Sequence, residues 1–245
     1  MGVRKIYHKI KPELERLNIK LGRDALFDLM ASEELLIPKR KYRPVTTQSR
    51  HWLRKYPNLV KGLVPDGPNQ VWVSDITYIR IKDGFSYLFL VSDAYSKKIL
   101  GYCLSNTLNS THAVNSLQDA IKNSCQPVSG LIHHSDRGIQ YCSKEYIQTL
   151  KQNHIQVSMT EKGDPRENPI AERINGILKH EYLYDEIRKT RYLSTDQLEE
   201  TIEKYNNFRP HLSCDMLTPN QAHLKKGILN RRWKNYYRLS NKIAV

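Results

Sequence analysis

The stretch Val71-Trp-Val-Ser-Asp-Ile-Thr-Tyr-Ile-Arg-Ile-Lys82 constrains the fold more than any other part of the chain. It is strongly β-prone, and both alternating sets of side chains are apolar: Trp72, Ile76 and Tyr78 on one, Val71, Val73 and Ile79 on the other. A strand apolar on both sides must be covered on both sides, so this run predicts a central strand between two layers. Asp75 stands inside it, an unusual setting for a carboxylate.

The next eighty residues give that strand its neighbours. Asp83-Gly84 is a hairpin-turn signal, and strands are expected at about 86–93 and 97–104. Ala113, Val114, Leu117 and Ile121 recur at helical spacing and predict a helix over about 110–124. A strand at about 129–134 then delivers a second acidic residue, Asp136, at its end, and a helix over about 143–153 and a short strand at 154–159 complete the sheet. Three meandering strands followed by alternating helices and strands is the order of an α/β, ribonuclease-H-like core with a mixed five-stranded sheet and flanking helices.

A third acidic residue arrives on a helix. Gly163 and Pro165 break the chain, Asn168 is placed as an N-cap and Pro169 as the first helical residue. Ile170, Ile174, Ile177 and Leu178 gather on one face. Glu172 and Lys179, two turns apart, fall on the opposite face with Asn175 and Gly176 beside them. Glu181 falls on the apolar side, which points to a buried ion pair or an early helix end. Ser194-Thr-Asp-Gln197 opens a further helix that Pro210 stops, and Thr218-Pro219 starts a last short one.

The ends of the chain are basic. Residues 1–36 read as two short helices, part of a helix-turn-helix-like unit, with Ile6, Ile10, Leu14 and Leu17 inside the first and Ala25, Leu26, Leu29 and Met30 inside the second. Arg4, Lys5, Lys9, Lys11, Lys20 and Arg23 are candidates for a phosphate-facing surface. Residues 37–63 form a basic, proline-punctuated linker, either a solvated tether or a path along a nucleic-acid backbone. The core spans 64–224, and the tail 225–245 carries seven basic residues, no acidic one, and Trp233, Tyr236 and Tyr237 among them. With 39 lysines and arginines against 25 acidic residues, the net charge of +14 implies an anionic partner, nucleic acid first. No apolar run approaches a membrane span and no signal-peptide stretch opens the chain, so the expected location is the cytoplasm, at the nucleoid. Cys103, Cys125, Cys142 and Cys214 lack zinc-site spacing and fit reduced thiols.

The words around the three acids occur in one order: Ser74-Asp-Ile-Thr-Tyr-Ile79, His134-Ser-Asp-Arg-Gly-Ile-Gln-Tyr141, Asn168-Pro-Ile-Ala-Glu172, Leu178-Lys-His-Glu181 and Tyr205-Asn-Asn-Phe-Arg-Pro-His211. Together they resemble the integrase-like DDE transposases of bacterial insertion sequences, in particular the second-reading-frame product of insertion sequence family three. The resemblance covers nearly the whole chain. It differs at Glu167, where the family usually has Asp, and at Pro169, where it usually has Ala.

The resemblance implies a retroviral-integrase-type core and a DNA transposase that cuts at element ends and joins the freed 3′-hydroxyl to another phosphodiester. It implies Asp75, Asp136 and Glu172 as the catalytic and metal-binding set, with Asp75 bridging two ions. Three hard carboxylates that would otherwise repel one another suit Mg²⁺ or Mn²⁺. Lys179, Arg137, Gln140 and Asn175 are the expected DNA contacts, and Gly138 is expected to shape the turn after Asp136. Asp93 lies outside the implied set. The implied partners are the element's terminal repeats, target DNA, further copies of the chain on DNA, and an upstream-frame product of the same element.

Overall fold

The two-sided apolar run forms β1 (Val71–Ile81), which lies at the centre of a five-stranded sheet. On one side it pairs antiparallel with β2 (Gly84–Asp93), and β2 pairs antiparallel with β3 (Ile99–Ser105). On the other side it pairs in parallel with β4 (Ile132–Ser135), and β4 pairs in parallel with β5 (Gln156–Met159). The order β3-β2-β1-β4-β5 is the expected mixed sheet. The computed structural model describes residues 1–37, 51–82, 84–124, 126–161, 167–183, 187 and 192–232. The proline-punctuated part of the linker, Asp83 of the turn, Cys125, Gly163 and Pro165, and the tail with Trp233, Tyr236 and Tyr237 lie outside these residues.

Both faces of β1 are covered. Trp72 packs with Phe89, Val91, Leu117, Tyr146 and Leu150 beneath α3 (Ser110–Asn123), α4 (Ile139–Cys142) and α5 (Lys144–Gln152). Ile79 packs with Leu88, Leu90, Ile174 and Leu198 beneath α6 (Pro169–Ile177) and α7 (Thr195–Phe208). Each of these large side chains contributes about 1.5–3 kcal/mol by leaving water. Gly101 lets α3 lie directly on β3, because a Cβ there would stand 2.1 Å from the Ser116 carbonyl oxygen. Ser194 and Gln197 form the reciprocal cap that starts α7, and the chain leaves the helix at Arg209, just before Pro210.

Two expectations change at the edges. The later part of the linker is no tether: the Met159 N–H donates to the Pro57 carbonyl, and the Leu59 N–H donates to Ser158 Oγ. Leu53 and Tyr56 pack against the core, so this segment covers the β5 edge. In α1 (Val3–Arg16) and α2 (Arg23–Ser32), Leu26 and Met30 are buried as expected, but Leu17 and Leu29 are about half exposed. Two of the supposed phosphate-facing cations face protein instead: Lys5 is buried, and Lys9 Nζ donates to the Phe208 carbonyl at 3.1 Å. Lys11 and Arg23 stay exposed, in surface pairs with Glu15 and Asp24. Cys103, Cys142 and Cys214 are free thiols.

The segment after α7 explains Tyr205-Asn-Asn-Phe-Arg-Pro-His211 as a structural word. Tyr205 Oη donates to the Lys97 carbonyl, and the Asn206 side chain bonds both the N–H and the carbonyl of Ile99, like one more strand partner. Arg209 is fully buried and holds Glu181 through two 2.8 Å bonds, from Nε and Nη2. Glu181 sits in a π-helical turn, Leu178–Tyr182, that continues α6. The buried ion pair expected for Glu181 is therefore present, and the helix widens there instead of ending. Removing one partner of such a pair leaves a bare charge in the interior. Arg209→Ala should cost about 3–5 kcal/mol in chemical denaturation. A Glu181→Leu, Arg209→Met double variant should recover much of that loss, and equal damage in both would show that the guanidinium acts by packing and not by charge.

Candidate active site

The site begins with strand register. In the parallel pair, Val71 lies opposite Ile132, Trp72 opposite His133 and Val73 opposite His134. Two residues further along, the same register sets Asp75 level with Asp136 on strands about 4.8 Å apart. Alternation then places His134, Asp136 and Asp75 on the α6 side of the sheet. Asp136 follows the last residue of β4, where the chain turns into α4. The Gly138 N–H donates to Asp136 Oδ1 at 2.9 Å, and a Cβ on residue 138 would stand 3.0 Å from that oxygen. Gly138 thus shapes this turn by close approach, as expected.

The helix supplies the third carboxylate. Glu172 and Asn175 are three residues apart on α6 and share a face. Asn175 Nδ2 donates to Asp75 Oδ2 at 2.8 Å, while Asp75 Oδ1 accepts the Ile76 N–H at 2.9 Å. Asp75 is therefore held by both oxygens. Burial, then the charge of Asp136, push its pKa up to about 7; the bonds from Asn175 and Ile76 oppose this, and Glu172 adds to the rise. Asp75 thus feels both of the other acids electrostatically. Among the described residues, no three His, Cys, Asp or Glu side chains close into a ready coordination sphere, as three like charges without a cation would not. The donor set is hard oxygen with elevated proton affinity, which fits Mg²⁺ or Mn²⁺.

Residues 65–165 match the integrase core domain family, and residues 153–219 match a second integrase core domain description. The 31 kDa protein of insertion element IS600 from Shigella sonnei is 36% identical over 214 residues, covering 86% of this chain and 78% of that protein. The transposase of IS629 from Shigella sonnei is 31% identical over 208 residues, covering 85% of this chain and 68% of its own. The chain belongs to the integrase-like transposases of insertion sequence family three. Its fold is shared with the HTLV-2 integrase catalytic core, solved in complex with magnesium, at TM-score 0.52 and 21% identity over 64% of this chain and 97% of that one.

Seen in this transposase, the expected DNA contacts divide. Lys179 lies half-buried in the π-helical turn, two turns along from Glu172. Arg137 is half-buried in the turn after Asp136, and its carbonyl is bonded by His51 Nε2 at 2.7 Å. Gln140 is engaged inside the protein, its Nε2 donating to the Leu108 carbonyl at 2.9 Å. Asn175 and Gly176 are buried, not solvent-facing, because that side of α6 lies on β1. Asp93, outside the implied set, is fully buried and caps a turn, accepting from the N–H groups of Ser96 and Asn69 at 2.7 Å.

Several residues that hold the site were not picked out by sequence. His134 bonds Ser158 through Nδ1 and the Glu167 carbonyl through Nε2, tying β4 to the segment that leads into α6. Asn168 stands at the N-cap position as expected, yet its side chain makes no cap; Nδ2 donates to the Ser74 carbonyl instead. Behind the sheet, His133 Nε2 lies 2.7 Å from Ser74 Oγ and 2.8 Å from Tyr146 Oη, and burial lowers its pKa to about 3, so the ring is neutral. The signal that could have found His134 is its two-residue offset from Asp136, which puts both side chains on one face.

A pH dependence arises from Asp75. Its folded pKa of about 7 lies above the ordinary 3.8, so the native state binds the proton more tightly. The stability this contributes is complete below about pH 4 and is lost as the pH rises through about 7. Without divalent metal, Asp75→Asn should melt close to wild type at about pH 4 and clearly above it at about pH 8. Added Mg²⁺ should raise the wild type and not the variant. A melting difference that ignores pH would sink this account of the carboxylate.

Proposed function

We propose that Asp75, Asp136 and Glu172 bind two divalent ions, Mg²⁺ or Mn²⁺, with Asp75 shared between them, and that the chain uses them for cleavage at insertion-sequence ends and strand transfer. The observation that carries this is Asp75 itself: a carboxylate in a two-faced buried strand, held by Asn175, with its proton affinity raised by burial first and then by Asp136 and Glu172. Bound metal would activate the attacking oxygen and stabilise the departing one in each phosphoryl transfer. Asn175 orients the Asp75 carboxylate through the bond to Oδ2. Asp136, fixed by the Gly138 N–H, and Glu172, fixed by the seating of α6, complete the donor set from two other elements. Water opens the phosphodiester at the element end, and the freed 3′-hydroxyl then attacks target DNA.

Lys179 and Arg137 would take phosphates beside the scissile one. Gln140 and Asn175 act as positioning residues, since both amides are committed inside the protein. Joining two element ends calls for more than one active site, so the working form is a homo-oligomer on terminal repeats and target DNA at the nucleoid, with or without an upstream-frame product. The helical segment 1–36, the linker 37–63 and the tail 225–245 flank the catalytic core 64–224, and the +14 net charge supplies the long-range attraction to DNA.

The decisive experiment is a cleavage and joining assay on labelled element ends. Asp75→Asn, Asp136→Asn and Glu172→Gln should each lose about a thousandfold or more in both steps, because metal stabilisation of the transition state is worth several kcal/mol. DNA binding should persist or tighten. Near-normal joining by Glu172→Gln would show that another carboxylate completes the site.

Lys179→Ala separates the phosphate contact from the metal site. End-DNA affinity or joining should fall, with the slope of affinity against salt reduced by about one. Mg²⁺ affinity should hold, and a loss of metal binding would make Lys179 a support for Glu172 instead.

A further inference from the structure

Behind α6, on the face opposite Glu172 and Asn175, lies a cavity of about 770 Å³. Lys5 from α1, Arg173 from α6, Lys97 from the β2–β3 turn and Arg209 all line it. Glu181, the carboxylate that acts on Lys5, already accepts both Arg209 bonds. Lys97 Nζ is occupied by the carbonyls of Ala94 and Tyr95. Lys5 is different. It is only 8% exposed, and among the described residues no hydrogen bond or ion pair within 4.0 Å reaches its ammonium. Arg173, exposed at the rim, likewise has no hydrogen-bond or ion-pair partner among the described residues. Burial first, then the charge of Arg209, lower the Lys5 pKa to about 8; Glu181 opposes this, and Arg173 adds a smaller downward push. A buried ammonium facing a cavity and crowded by guanidinium groups is costly unless something negative occupies the space.

We propose that this cavity binds a small amphipathic anion, a molecule of mononucleotide size with a phosphate or carboxylate group on an apolar body, its acidic end held between Lys5 and Arg173. The volume falls within the range of small-molecule sites and far exceeds a lone inorganic ion. The remaining walls are largely apolar, with Ile170, Ile174 and Ile177 of α6 on one side and Val64 and Leu229 on the other. DNA is the wrong shape, since a duplex backbone cannot reach an ammonium this deeply recessed. An occupant would bear on the back of the helix that presents Glu172.

The test is calorimetric titration and thermal shift on the full chain at about pH 7 in EDTA, which removes metal-dependent binding at the carboxylates. The probes are AMP, octanoate and inorganic phosphate. AMP or octanoate should bind and raise the melting temperature, and which of the two is preferred identifies a phosphate or a carboxylate as the acidic group. Lys5→Met and Arg173→Gln should each weaken that binding about tenfold or more, the worth of one charge-assisted bond. Without ligand, Lys5→Met should melt higher than wild type, because it replaces an unpaired buried charge by an apolar side chain of similar length. Binding of phosphate alone, or of no probe at millimolar concentration, would overturn the proposal. So would binding that both variants leave undiminished. Arg173→Gln changes an exposed residue, so the test stands even if Lys5→Met disturbs α1.

Discussion

The parallel pairing of β1 with β4 is the constraint on which the rest of the site depends. It holds two carboxylates level on neighbouring strands, where like charges would otherwise separate. Packing on both faces of β1 supplies the compensation, because Trp72, Ile79 and their neighbours cannot leave the interior without exposing two cores at once. The repulsion between Asp75 and Asp136 is therefore stored in the metal-free fold. Together with burial, which is the larger cause, it raises the proton affinity of Asp75.

The helix that brings the third carboxylate is fixed at both ends by polar contacts with the core. At its start, Asn168 donates to the Ser74 carbonyl and His134 takes the Glu167 carbonyl. At its far end, Arg209 grips Glu181 in the π-helical turn. Between them, Asn175 reaches across to Asp75. All five sequence words that mark the chain thus contribute to one mechanical unit.

This division explains what was legible in the sequence. The sheet, its order and the elements carrying Asp75, Asp136 and Glu172 follow from periodicity, since burial on one or two faces leaves a direct trace in the pattern of apolar residues. Polar partners leave no such trace. Asn175 looks solvent-facing by the 100° count because the count opposes it to Ile174 and Ile177, yet α6 is covered on that side too, by β1. Nothing in the apolar pattern marks Arg209, which anchors a buried pair with Glu181. Lys5 looks like one more surface cation on a polar helix and lines a cavity. In each case a long or amide side chain crosses between elements that are far apart in sequence, and only the assembled fold says which elements meet.

The π-helical turn shows how these constraints combine. An α-helix continued past Ile177 would keep Lys179 in strict phase with Glu172, but it would advance Glu181 by the ordinary rotation per residue. Widening the turn at Leu178–Tyr182 changes that phase locally. Glu181 can then meet Arg209 while Leu178 stays fully buried in the core beside Ile174 and Ile177. The wider turn forgoes ideal helical bonding, and the bidentate ion pair offsets that cost at the same place. The irregular stretch after α6 is therefore the point where the seating of the helix that carries Glu172 is reconciled with the interior's need for a carboxylate opposite Arg209.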